Sequence, residues 1–507
     1  MRLAIVILAA GKGTRLNSKR AKVLHEIGGK PLLRHVVDAA LAVAAAEDIC
    51  VVVGHQAPQV EASLAGLGVR FVQQREQRGT GHAVRQALDA VAGYDDLLVL
   101  SGDVPLIQPE TIARLRDFHL EQLAAMTILT AVPEDPWGYG RVIRQETHPE
   151  VVLQIVEQKA LTPEQATIGE VNAGIYAFRR APLTERLSQL QNNNAHGEFY
   201  LTDMAAILVQ ACERVVALRC ERADEVLGAN TIEEMMRLDA KLRMDTARRL
   251  MAAGVTIFRP ETTVIDAGVV VGNDTVIEPF VQLLGTTMIG QDCRIRSYSV
   301  LEDATLGDRV QVRNGCSIAG SLILDGAVVG PYANLRPESE LGPGAHVGNF
   351  VEVKKTRLGA GSKANHLAYL GDAEIGAGVN IGAGVITCNY DGATKNKTVI
   401  GDGVFVGSDS TLVAPVRLGD GSYVAAGSCI TEDVPADGLA LARARQTTKP
   451  GWARARRSRL QDAASGGAVE AEDGAVQAEG GAVRAEGGAV QAAAGAMEKP
   501  RSKRRAE

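Results

Sequence analysis

Two groups of residues in this sequence have types and spacings suited to chemistry. The first opens with Leu8-Ala9-Ala10-Gly11-Lys12-Gly13-Thr14-Arg15, where two glycines and two cations directly follow an apolar run. Glycine lets backbone N–H groups close on phosphate oxygens, and Lys12 and Arg15 add positive charge. The spacing is not G-x-x-x-x-G-K-[ST], and Leu16 stands where a G-x-G-x-x-G loop needs its third glycine. Lys22-Val23-Leu24 supplies another cation, and Gln77-Arg78-Gly79-Thr80-Gly81-His82 offers small residues able to pack on a planar base. Ser101-Gly102-Asp103 ends a buried apolar run in a carboxylate suited to Mg²⁺ held against phosphates. Read alone, Asp103 is better explained as a helix-cap or turn aspartate.

The second group lies in Ser362–Gly371 and in Thr387-Cys388-Asn389-Tyr390-Asp391-Gly392, which leads into a polar loop with Lys395 and Lys397. A neutral imidazole such as His366 can take a proton near pH 7. Tyr369 sits beside it, and Arg336 and Lys354 are near in repeat register.

These residues need elements to hold them. Residues 1 to about 229 alternate strand-like runs (Ala4–Ala9, Ile49–Val53, Val69–Gln73, Leu97–Ser101, Met126–Ala131) with helical stretches such as Leu32–Ala45 and Gly81–Val91. That alternation predicts an α/β domain with a Rossmann-like, mostly parallel sheet, whose ligands bind beyond the carboxyl ends of the strands. Asn230 followed by Glu233 reads as the cap of a linker helix over 230–253 that stops at Gly254. From about Val264 to Val434 aliphatic residues recur every six positions, as at Ile400, Val406, Leu412, Leu418, Val424 and Ile430. The beat also runs through Leu306, Val312, Ile318 and Leu324, and through Leu341, Val347 and Val353. A period of six predicts a parallel β-helix of hexapeptide repeats, here over 254–446, with the repeat itself ending at Gly438. The tail, 447–507, repeats Ala-Val every seven residues from 468 but lacks large apolar residues, and is expected to be mostly disordered.

Composition narrows the function classes. The net charge of −6 gives no sequence-wide basic surface for nucleic acid, and no run reaches the length of a membrane span. Seven scattered cysteines without metal spacing read as mostly buried free thiols in a reducing, cytoplasmic compartment.

Gly11-Lys12-Gly13-Thr14-Arg15, Lys22-Val23-Leu24, Gly79-Thr80-Gly81-His82 and Gly102-Asp103 resemble the sugar-1-phosphate nucleotidyltransferases. With the hexapeptide repeat, residues 3–452 resemble the bifunctional N-acetylglucosamine-1-phosphate uridyltransferase/glucosamine-1-phosphate acetyltransferases, with a left-handed β-helix. The resemblance implies acetyl transfer from acetyl-CoA to glucosamine-1-phosphate, then Mg²⁺-dependent uridylyl transfer from UTP. The product, UDP-N-acetylglucosamine, would feed peptidoglycan and lipopolysaccharide synthesis. By the resemblance, Leu8, Ala9, Ala10, Gly11, Lys22, Gln74, Gly79, Thr80, Ser101, Gly102 and Asp103 hold the nucleotide side of UDP-N-acetylglucosamine, and Gly140, Glu157 and Asn172 hold its sugar. Asp103 and Asn230 would bind Mg²⁺. His366 would be the general base, with Arg336, Lys354, Tyr369 and Asn380 on the sugar phosphate and Ala383, Asn389, Tyr390, Ser408, Ala426 and Arg443 on acetyl-CoA. A homotrimer is implied. The sequence departs from the family at Ser101 (commonly Tyr), Ala21 (commonly Pro) and Trp137. The alternative is a nucleotidyltransferase whose β-helix only regulates or oligomerises.

Overall fold

Strand β1 (Leu3–Ala9) is an unbroken apolar run because both of its faces are covered: Ile5 and Ile7 enter one core layer, Ala4 and Val6 the other. In the computed structural model, which describes residues 2–145, 147, 149–194 and 197–465, it lies in the interior of the N-terminal sheet. The remaining strands are β2 (Ile49–Val53), β3 (Arg70–Gln73), β4 (Asp96–Ser101), β5 (Met126–Ala131), β6 (Val171–Arg179) and β7 (Val215–Arg219), in the order β7-β5-β6-β4-β1-β2-β3. The sheet is mostly parallel along this path, as expected, and is mixed because β6 runs against both of its neighbours. An antiparallel pair, Arg141–Arg144 with Val152–Val156, extends from it. The helices are shorter than their apolar patterns suggested, at Leu32–Leu41 and Thr80–Ala87.

The long helix is Ile232–Ala252, and its cap is one residue later than expected. Thr231 Oγ1 accepts from Glu234 N–H at 3.1 Å, and the Glu234 carboxylate accepts from the N–H groups of Thr231 (3.2 Å) and Asn230 (2.7 Å). The Asn230 side chain is therefore left out of the cap.

The six-residue beat builds three sheets of eleven, ten and nine short strands, all paired in parallel. Most of these strands turn one residue inward, and Val406, Leu412, Leu418 and Val424 are fully buried in one continuous core. Successive coils are offset by 17 residues (Ile289 to Leu306) or 18 (Ile323 to Leu341), so the beat sometimes drops a residue. One such slip puts Ile323 inside where the strict period pointed to Leu324. Aspartates close the corners: Asp308, Asp325, Asp402 and Asp420 each accept an N–H from the coil below at 2.7–3.0 Å. The coiling persists past Gly438 to Leu439–Ala440, which pairs with Tyr423–Val424.

By contacts the chain falls into two units, 1–443 and 444–507. The described part of the second carries the helix Trp452–Ser465, where the tail was expected to be mostly disordered. The seven-residue repeat from 468 lies outside the described residues.

Candidate active sites

Register aligns the ends of the central strands. Leu8 pairs with Ser101 and Ala9 with Val53, so the loops leaving β1, β2 and β4 emerge along one edge of the sheet. These loops surround a cavity of about 600 Å³. Leu8, Ala10, Gly11, Lys22, Gln74, Gly79, Thr80, Ser101, Asp103 and Asn230 line it, as does the stretch from Lys12 to Arg15. Gln77 and Glu198 also line it, and neither was singled out as a ligand from sequence.

Lys22 is the hub. Its ammonium pairs with Asp103 Oδ2 and donates to Asn230 Oδ1 at 2.9 Å. Two oxygen donors thus converge on one cation, which is the donor chemistry a hard divalent metal needs. Burial, followed by the nearby Glu234 and Asp103 carboxylates, pushes Tyr139 up to about 12, so its phenol stays neutral.

The other expected residues lie off the cavity lining. Ala9 is buried in the core, and the Gly102 N–H donates to Leu8 O at 2.9 Å. Gly140, Glu157 and Asn172 form a neighbouring cluster. The Asn172 N–H donates to Gly140 O at 2.9 Å, and a β-carbon on Gly140 would stand 3.7 Å from Glu157 Oε2. Ser101 joins this cluster to the cavity, since its hydroxyl donates to Gly174 O (2.9 Å) and Gly174 N–H donates to Asn172 Oδ1 (3.1 Å). These links run through a strand bulge, which sequence periodicity does not reveal.

The second group sits on the outside of the β-helix. Backbone bonds from Leu367, Gly384, Asp409 and Gly427 to Asn349, His366, Ala383 and Ser408, respectively, run up a single corner. Asn349, His366, Ala383, Ser408 and Ala426 therefore stand at equivalent places on successive coils, about 4.8 Å apart. His366 Nδ1 is 2.6 Å from Asn349 Oδ1. With that amide oxygen accepting, Nδ1 carries the ring proton and Nε2 keeps its lone pair.

Across the corner, Arg336, Lys354 and Gly371 form another column. The neighbouring Lys395 amine, by hydrogen bond and like charge, holds Lys354 below its ordinary pKa. Clustered like charge of this kind suits an anion. The coil after Ile375 is stretched to 25 residues before Ile400, which makes room for the loop carrying Asn389, Tyr390 and Lys395. Asn389 donates to Asp372 Oδ2 and lies 3.5 Å from the Tyr369 hydroxyl. Tyr390 is exposed and donates to Gly392 O at 2.7 Å. Asn380 occupies the column of Lys363 on the adjacent sheet, apart from Tyr369. Arg443 is exposed and directly follows Ala442, whose carbonyl accepts from Cys429 N–H at 3.2 Å. Asn349 and Asp372 were not singled out from sequence. They lie one coil from His366 and Lys354, a relation visible only once the 17–18-residue offset is known.

The chain matches the MobA-like NTP transferase domain over residues 5–193. It matches the bacterial transferase hexapeptide (six repeats) over 268–303 and 397–432. Bifunctional protein GlmU of Koribacter versatilis (strain Ellin345) is 59% identical over 458 residues, covering 90% of this chain and 98% of that protein. The chain belongs to the bifunctional GlmU family. GlmU of Solibacter usitatus is 53% identical over 456 residues (90% and 97% covered), and GlmU of Listeria innocua 47% over 450 (89% and 97%). As a GlmU enzyme the chain is a uridyltransferase and acetyltransferase that produces UDP-N-acetylglucosamine. Among the described residues, no helix is long and apolar enough to cross a membrane.

Proposed function

We propose that the cavity beyond β1 and β4 is the uridylyl-transfer site of this GlmU and that the His366 corner is its acetyl-transfer site. Residues 1–229 then carry the first activity and 254–446 the second, with the 230–253 helix as the joint. In uridylyl transfer, a phosphate oxygen of N-acetylglucosamine-1-phosphate attacks the α-phosphorus of UTP, and pyrophosphate leaves. The protein's part is positioning and charge neutralisation. The Gly11–Arg15 loop and Lys22 hold the phosphates, and the Gly140, Glu157, Asn172 cluster holds the sugar. Asp103 and Asn230 would hold Mg²⁺, whose charge offsets that of the phosphates. The convergence of their oxygens on the Lys22 ammonium supports this assignment.

In acetyl transfer, Arg336 and Lys354 bind the phosphate of glucosamine-1-phosphate, with Tyr369 and Asn380 on its hydroxyls. The sugar amine attacks the acetyl-CoA carbonyl, the C–S bond breaks, and CoA leaves. His366 Nε2 takes the proton lost by the amine. Asn389, Tyr390, Ala383, Ser408, Ala426 and Arg443 line the path of CoA. The observation that carries this reading over a merely regulatory β-helix is the column from Asn349 to Ala426, which aligns a base with an open track about three coils long. Incubating the protein with acetyl-CoA, glucosamine-1-phosphate and a thiol reagent tests it. Release of free CoA that depends on the sugar is expected, and its absence favours the regulatory alternative.

The reading includes a homotrimer. Phe280, Tyr298, Tyr332, Phe350 and Leu367 stack along one corner and are 47–66% exposed in the single chain, an apolar row suited to burial against another copy. It also includes a cytoplasmic location, in keeping with the unpaired buried thiols Cys50, Cys220, Cys293 and Cys316.

A further inference from the structure

Gln74 is 3% exposed, yet it borders the nucleotide cavity. Its Nε2 lies 3.1 Å from Gly79 O and 3.0 Å from His82 Nδ1. A peptide carbonyl can only accept, so the Gln74 atom facing Gly79 is the amide nitrogen. That nitrogen has two protons, one for Gly79 and one for His82, and Nδ1 must then be an acceptor. The ring proton sits on Nε2, which faces the Gln86 amide at 3.2 Å. The atom at that distance is the Gln86 amide nitrogen, and two donors cannot face each other, so the Gln86 amide is assigned the turned orientation in which its oxygen accepts the ring proton.

Both donors of Gln74 are thereby turned away from the cavity. Its Oε1 has no donor among the described residues and is not among the buried polar atoms left without a partner, so it opens to the cavity as an acceptor. The Gln77 side chain donates to the main-chain oxygen of Gln74 at 3.0 Å and fixes the segment from the other side.

We propose that His82 is a positioning residue that sets nucleobase choice by locking the Gln74 amide with only its oxygen presented. The inference rests on the reading of this cavity as the uridine-nucleotide site. Uracil carries an N–H at N3 and meets an acceptor there. Cytosine has a lone pair at N3, and two acceptors face each other. Without the ring, only the Gly79 carbonyl still holds the amide, which then turns more readily and offers its N–H instead.

The test compares kcat/KM for UTP and CTP, with Mg²⁺ and N-acetylglucosamine-1-phosphate, in the wild type, His82→Leu, His82→Asn and Gln86→Leu. Acetyl transfer by the same samples reports folding. The wild type is expected to prefer UTP. His82→Leu should lower the UTP:CTP ratio about tenfold, mainly through KM, the scale of one exchanged hydrogen bond. His82→Asn keeps an acceptor near the place of Nδ1 and should hold the ratio. Gln86→Leu frees the ring and should lower the ratio in smaller degree. An unchanged ratio in both leucine variants overturns the proposal, as does an equal loss of kcat for both nucleotides in His82→Leu. A wild type indifferent to the base sinks the uridine reading itself, and the proposal with it.

Discussion

The Lys22 ammonium donates to the Asn230 side chain at 2.9 Å, tying the phosphate-side loop to a residue 208 positions later that the helix cap leaves free. Two oxygens already gathered around a cation leave little for a metal to reorganise. Asn230→Ala should therefore raise the Mg²⁺ concentration for half-maximal uridylyl transfer about tenfold while the long helix, capped by Thr231, keeps its helical circular dichroism. An unchanged Mg²⁺ requirement counts against Asn230 as a ligand.

The two sites share no residue. Asp103→Ala should abolish uridylyl transfer and spare acetyl transfer. His366→Ala should do the reverse, by about 10²–10⁴-fold, the usual weight of a general base. Parallel assays of both activities decide, and loss of both in either folded variant contradicts two separate sites.

Gly371 is small for a reason. A β-carbon there would stand 2.5 Å from the Tyr369 hydroxyl and 2.7 Å from Asn389 Nδ2. Gly371→Ala should displace both and lower acetyl transfer about tenfold or more, since small misplacements are costly to oriented reactions. Uridylyl transfer measured beside it should not change.

Phe350, 58% exposed, stacks on Tyr332 with ring centroids 5.6 Å apart. A carboxylate at this corner is expensive to bury. Phe350→Glu should shift sedimentation of the proposed trimer toward monomer and depress acetyl transfer. A variant that stays trimeric removes the corner from the interface.

His119 is buried beside Asp96 and bonded to Thr127 Oγ1 at 2.8 Å. Burial, then the Arg179 charge, pulls it down to about 4. As the pH falls from about 6.5 toward 4, the unfolded chain takes a proton here that the folded chain refuses, so stability drops, by about 3 kcal/mol at most. Asp96, pushed up mainly by burial, opposes this, because its contribution is present at low pH and declines as the pH rises. His119→Gln should flatten the decline of Tm between pH 7 and 4. An identical slope in both proteins places the acid sensitivity elsewhere.

The sequence alone determined whatever depends on local period. The six-residue beat follows from the geometry of one coil, so Leu412, Leu418 and Val424 could be assigned inward without knowing their neighbours. The glycine and cation pattern from Gly11 to Arg15 likewise marked a loop suited to phosphate, and that loop borders the cavity. Tertiary structure decided what depends on register. A corner shortened by one residue puts Ile323 rather than Leu324 inside, and no local rule says which corner will be short. The pairing of His366 with Asn349, of Asn389 with Asp372, and of Lys22 with Asn230 is set by how coils stack and where a distant helix begins. Side-chain partners chosen across 17 to 208 residues follow the packing of the whole chain, and short-range propensity carries no record of it.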